Sequence, residues 1–151
     1  MRVSAKADYA VRAAAELAAA KGGPVKGERL AEAQEIPLQF LEHILLDLKH
    51  QGIVRARRGA KGGYWLARPA EEVTIADVIR AVEGPIAHVQ STPPEEIAYH
   101  GSAEHLQEVW IAVRASLRSV LERVTLADVV SGELPSLVGE LSATPGAWAG
   151  R

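Results

Sequence analysis

Residues 37–66 read PLQFLEHILLDLKHQGIVRARRGAKGGYWL. Leu38, Leu41, Ile44, Leu45 and Leu48 recur at intervals of three and four, the spacing of one helix face. Pro37 suits the first turn of such a helix, where its missing N–H has no intrahelical partner to lose. Gly52 can take the left-handed conformation that ends it. The other face carries Gln39, Glu42, His43, Lys49 and His50, side chains able to hydrogen-bond base edges and phosphates. Two strand-like runs follow, Ile53–Ala56 and Tyr64–Ala67. The turn between them, Arg57–Gly63, is rich in glycine and cations. Glycine lets the backbone approach a phosphate closely, and cations displace counterions from a duplex. A helix followed at once by a basic hairpin is the layout of a winged helix-turn-helix.

Working outward, Ser4 is placed to cap a helix reaching about Ala20. Its stripe of Ala7, Ala10, Val11, Ala14, Leu17 and Ala18 would let another helix come close. Arg2, Lys6, Tyr9 and Arg12 lie near its start, and Lys21-Gly22-Gly23-Pro24 breaks it. A second helix is expected over Gly27–Gln34, linked by Glu35-Ile36-Pro37 to the recognition helix at helix-turn-helix spacing. Trp65 and Leu66 are expected under the wing. Thr74 can cap a helix Ile75–Glu83 that Gly84-Pro85 ends.

Residues 86–101 lack any regular pattern. From Ser102 a long helix is expected to about Val124, with Leu106, Trp110, Val113, Leu117, Val120 and Val124 in the a/d alternation of a coiled-coil seam. Thr125 begins a last short helix ending near Gly132, and the tail from Pro135 to Arg151 is expected to be loosely ordered. The division that follows is a DNA-binding unit 1–84, a variable loop 85–101, a dimerisation helix with a short terminal helix over 102–132, and a flexible tail 133–151. The fold class is mainly α with a small β-hairpin wing.

Composition supports an ordinary globular chain: 151 residues, 48% hydrophobic, 24% charged, net charge −2. No apolar run approaches the length of a membrane span and no leader pattern is present, so a cytoplasmic protein without membrane contact is expected. The small net charge conceals a split. Residues 1–70 hold 12 Lys+Arg against 7 Asp+Glu, and residues 71–151 hold 5 against 12. A basic half joined to an acidic half suggests that the first faces nucleic acid. There is no cysteine, which excludes disulfides, thiolate ligands and thiol switches.

Four blocks, MRVSAKADYAVRA (1–13), the run from Ile36 to Pro69, TIADVIRAVEGP (74–85) and TLADV (125–129), carry a resemblance. The chain resembles the Rrf-two family of bacterial transcription regulators, the IscR-, NsrR- and CymR-like proteins, over roughly residues 1–130. The resemblance implies a winged helix-turn-helix, a homodimer paired through the long helix, and a palindromic double-stranded DNA operator. By position it assigns DNA contact to Arg2 and Lys6, to Leu38, Gln39, Phe40 and His43, and to Arg57, Arg58, Gly59, Lys61, Gly62 and Gly63. Gln39 and His43 are the candidates for base edges, and Arg58 and Lys61 for phosphate or minor-groove contact.

One departure matters. Cluster-binding members carry three cysteines between the EGP turn and the long helix, whereas Ile86–His105 contains none, so no iron–sulfur cofactor is expected. His88, His100 and His105 with Glu104 and Glu108 could gather a metal such as zinc, but solvated surface explains them more simply and no metal is expected. A small-molecule effector pocket between the loop and the long helix, including Tyr99 and Trp110, is the other place for a signal. The expected function is a repressor that reads its operator without a cluster. The alternative is an interaction module that keeps the fold without binding DNA. Enzyme chemistry is not expected, because no nucleophile–base pair, carboxylate dyad or phosphate loop stands out.

Overall fold

In the computed structural model, which describes residues 1–150, Ser4 accepts a hydrogen bond from the Ala7 N–H at 3.0 Å and so caps α1 (Ala5–Ala19). Ala7, Ala10, Ala13 and Ala14 are buried on this helix. Their small side chains let α1 lie at the centre of the molecule, packed by elements on several sides. α2 (Gly27–Gln34) ends at Glu35, whose left-handed φ of 52° turns the chain sharply. Ile36, 4% exposed, plugs the turn into the core while its N–H reaches the Ala31 carbonyl at 2.9 Å. α3 (Leu38–His50) follows with Pro37 just before it, and Leu41, Ile44, Leu45 and Leu48 are all fully buried. Each such side chain contributes about 1.5–3 kcal/mol by leaving water. That apolar face fixes which side of α3 is left outward.

The hairpin pairs β1 (Val54–Arg57) with β2 (Gly63–Leu66) in antiparallel register, Val54 opposite Leu66 and Arg57 opposite Gly63. Ile53, expected as the first strand residue, instead anchors the strand's base: it is buried, and its carbonyl accepts from the Ala67 N–H at 2.8 Å. The wing also has a third partner that the sequence did not announce. Val25 and Tyr64 exchange two backbone hydrogen bonds, each 2.8 Å, so the segment before α2 lies along β2.

α4 (Ile75–Glu83) and α6 (Leu126–Ser131) begin in the same way. Thr74 with Asp77, and Thr125 with Asp128, form reciprocal capping boxes. The two caps lie antiparallel, with the Ile75 N–H on the Val124 carbonyl and the Leu126 N–H on the Val73 carbonyl, each at 2.9 Å. This pairing carries fully buried Leu126 into the helix-turn-helix core beside α1.

The long helix is shorter than the sequence suggested. α5 runs Leu106–Leu121, because Gly101–Ala103 make a separate 3₁₀ turn and Val124 leaves the helix to bridge to Ile75. None of its residues is fully buried. Within the tail, α7 (Ser136–Ser142) forms after Pro135, and the Trp148 indole N–H bonds to the Ser142 carbonyl at 2.7 Å. Leu137, Val138 and Leu141 lie on adjacent turns, a short helical spacing within a region dominated by small residues.

Candidate nucleic-acid interface

With four positions of α3 committed to the core, Leu38, Gln39, Phe40, Glu42, His43, Leu46, Lys49 and His50 remain exposed. The helix is held at a set angle by contacts to α1 and α2. Arg12 donates to the Gln34 carbonyl at 2.7 Å, at the end of α2, and its guanidinium lies 4.7 Å from the Tyr9 ring centroid. Tyr9 meets Phe40 edge-on, ring centroids 5.7 Å apart. Lys6 pairs with Asp47 of α3 at 2.8 Å. Of the sequence-derived contacts, then, Phe40 is partly engaged by Tyr9 and Lys6 is braced against Asp47. Arg2, Leu38, Gln39 and His43 are exposed.

The wing explains its own glycines. A Cβ on Gly62 would lie 2.0 Å from the Arg57 carbonyl oxygen, and one on Gly63 would lie 2.7 Å from the Val25 oxygen. Gly63 also holds φ at 143°, where a side chain is strained. Both residues are buried, so they shape the turn rather than line its surface. Arg57 folds back onto the Lys61 carbonyl at 3.1 Å, and the Lys26 ammonium donates to the Gly59 carbonyl. Arg58 and Lys61 are exposed and pair with no side chain among the described residues. Between α3 and the wing runs a groove of about 470 Å³ lined by Lys26, Glu42, Leu46, Lys49, Arg57 and Arg58. Lys26 and Leu46 were missed from sequence. A lysine just before α2 beside a basic wing was the available signal for the first, and nothing local marked the second.

Away from this face, Leu106, Trp110, Val113, Leu117 and Val120 are half-buried and Val124 is buried, so the seam turns partly toward its own chain. Val109, Ile111, Ala112, Ala115 and Ser116 are exposed on the same helix. The preceding loop is strapped to α5 by Gln107, whose amide donates to the Pro94, Glu95 and Ile97 carbonyls, and by Arg114 with Glu95 at 2.7 Å. Glu95's own backbone N–H, and then the Arg114 guanidinium, hold its carboxyl below the usual carboxylate range. A carboxyl whose folded value is lowered stabilises above its ordinary value, and that stabilisation fades as pH falls through the lowered one. Glu95→Gln is therefore expected to lower the thermal midpoint slightly at neutral pH. The difference from the parent should close on acidification, as followed by circular dichroism; a difference that widened would contradict this assignment.

Residues 86–105 supply no thiolate, and among the described residues no three His, Asp or Glu side chains gather as ligands. The donor set does not fit an iron–sulfur cluster. His88 lies in an apolar groove, and His105 stands exposed 3.3 Å from Glu104. Trp110 lines a recess with Ala87 and His88, and Tyr99 is not among the residues that line it. Among the described residues no helix is long and apolar enough to cross a membrane.

Residues 3–132 match the family model Rrf2, described as iron-dependent transcriptional regulator. The chain is 52% identical to the Mycobacterium tuberculosis protein Rv1287, whose name places it among HTH-type transcriptional regulators, over 94% of this chain and 89% of that one. It is 34% identical to the HTH-type transcriptional regulator CymR of Bacillus subtilis, over 87% and 91%. The fold is similar to the structure of CymR, the global cysteine regulator of B. subtilis, with TM-score 0.73, 31% identity and coverage of 87% and 98%. It is also similar to T. potens IscR, with TM-score 0.70, 32% identity and 88% of each chain covered. This chain belongs to the Rrf2 family of winged-helix, DNA-binding transcriptional regulators.

Proposed function

We propose that the protein is a homodimeric repressor of the cytoplasm that binds a palindromic operator without an iron–sulfur cluster and answers to a small-molecule effector. The observation that carries this reading is the pairing of an outward recognition face, Gln39 and His43, with two unengaged wing cations, Arg58 and Lys61. Gln39 and His43 read base edges in the major groove, while Arg58 and Lys61 meet phosphates or the minor groove. Arg2 adds a phosphate contact, Leu38 and Phe40 give apolar contact, and exposed Gly59 brings the wing backbone close to the duplex while buried Gly62 and Gly63 hold the turn that presents it. Lys6 contributes its charge from the pair with Asp47.

Dimerisation is supported by α5, a helix of 16 residues that buries none of them fully yet exposes Val109 and Ile111. Such a helix is stabilised chiefly by a partner's surface. A second copy would cover this edge together with the half-buried seam Leu106, Trp110, Val113, Leu117 and Val120, whereas Val124 is already buried within its own chain.

The test is selection of bound fragments from genomic DNA, then anisotropy titration across salt. The expected winner is palindromic and loses on the order of 10³-fold in affinity from about 50 to 200 mM salt. Arg58→Ala and Lys61→Ala should weaken all sequences alike and reduce the salt slope by about one each. Gln39→Ala and His43→Ala should relax preference at single base pairs by about 1–3 kcal/mol. Four variants binding like the parent would refute these contacts, and a monomer that enriches no fragment would return the reading to an interaction module.

A further inference from the structure

The wing loop, residues 57–63, contains Gly59, Gly62 and Gly63, and glycine loses more conformational freedom on ordering than any other residue. β1 and β2 fix the two ends of this loop. At its tip the Gly62 N–H reaches the Gly59 carbonyl at 3.0 Å and closes the turn. The bond from Arg57 to the Lys61 carbonyl also lies inside the hairpin. Among the described residues, one hydrogen bond ties the stretch 58–62 to anything beyond the hairpin. The Lys26 ammonium donates to the same Gly59 carbonyl that closes the turn.

The neighbours of Lys26 are themselves held. Val25 exchanges two backbone hydrogen bonds with Tyr64 of β2. Gly27, buried at the start of α2, would place a Cβ 3.6 Å from the Tyr64 ring and 3.8 Å from the Leu38 side chain of α3. Three successive residues therefore meet the wing strand, the wing tip and the recognition helix. The groove that Lys26 lines between α3 and the wing also takes in Lys49, Arg57 and Arg58.

We propose that Lys26 is a positioning residue for DNA binding: its ammonium fixes the wing tip to the start of α2 and so sets where Arg58 stands relative to α3. A duplex presents its base edges and flanking phosphates at a fixed separation, so α3 and the wing engage together only when their own spacing matches it. A tip ordered in the free protein also leaves less entropy to lose on binding. The consequence for Arg58 rests on the DNA contacts proposed above; the tether to Gly59 does not.

The experiment compares the full chain with Lys26→Met, which keeps the stem and removes the donor, and with Lys26→Arg, which restores one. Without DNA, the Gly62 amide should exchange with solvent about fivefold faster in Lys26→Met, followed by NMR. The thermal midpoint should stay within about 2 °C of the parent, because Lys26 and Gly59 are both exposed. On the selected operator, Lys26→Met should bind about tenfold more weakly. Arg58→Ala should cost about tenfold in the parent but less than about twofold in the Lys26→Met chain, where Arg58 is already displaced. Lys26→Arg should recover most of the loss in both affinity and amide protection. Unchanged Gly62 exchange in Lys26→Met overturns the tether. Losses that multiply, so that the double variant binds about a hundredfold more weakly, overturn the positioning role and make Lys26 a separate phosphate contact. A parent chain that enriches no operator refutes the DNA contacts, and Gly62 exchange then decides the tether by itself.

Discussion

Gly62→Ala is expected to lower operator affinity at least about tenfold and unfolding free energy by about 2–3 kcal/mol. The added Cβ would sit 2.0 Å from the Arg57 carbonyl oxygen and 2.8 Å from the Arg58 carbonyl carbon. Both are backbone atoms, so no side chain can swing aside and the turn itself must open. Opening it separates β1 from β2 and moves Arg58 out of the groove that it lines with α3. Gly59→Ala is the matched control. Gly59 has φ of 101° but nothing within 4 Å of an added Cβ, so only local backbone strain opposes the change. Urea denaturation and anisotropy of both variants would decide the matter. If the two behaved alike, close packing of the wing would not be the reason for glycine at 62.

Leu126→Ala should cost about 2–5 kcal/mol, the range for emptying a fully buried leucine site. Leu126 lies far along the chain, yet it is 0% exposed and belongs to the same core cluster as Leu17, Leu41 and Leu48. Val130→Ala on the same helix, at a position 46% exposed, should change stability by less than about 0.5 kcal/mol. A chain stopped at residue 84 would also lose Leu126 and the bridge to Val73. It should show the broad unfolding of a chain whose core is uncovered. Equal melts for Leu126→Ala and Val130→Ala would contradict this account.

The two variants probe features of different visibility. The recognition helix was legible because its apolar positions repeat every three or four residues; Leu41, Ile44, Leu45 and Leu48 land in the core, while Leu38, read as part of the same face, stays exposed at its start. The capping boxes were half legible, since Thr74 and Thr125 stand out as caps while their lateral pairing does not. Val25 was illegible as a strand, because a single residue carries no periodicity and its partner, Tyr64, is remote in sequence. The same limit applies within the site. Gln39, His43, Arg58 and Lys61 are exposed as their spacing suggested, but Lys6 finds Asp47, Arg57 folds onto Lys61, and Phe40 meets Tyr9. A sequence gives a side chain's chemistry before it gives its neighbours.

Local rules determined much here. Helical periodicity, caps, turn glycines and the basic wing were enough for a winged helix-turn-helix, and absent cysteine removed thiolate chemistry. Tertiary structure decided the rest: the backbone bridge at Val25, the end of α5 at Leu121, the entry of Leu126 into the core and the cleft beside Arg2. The physical reason is range. Periodicity and capping act within a turn or two of chain, whereas a backbone bridge or a shared cavity depends on segments whose encounter no local preference encodes.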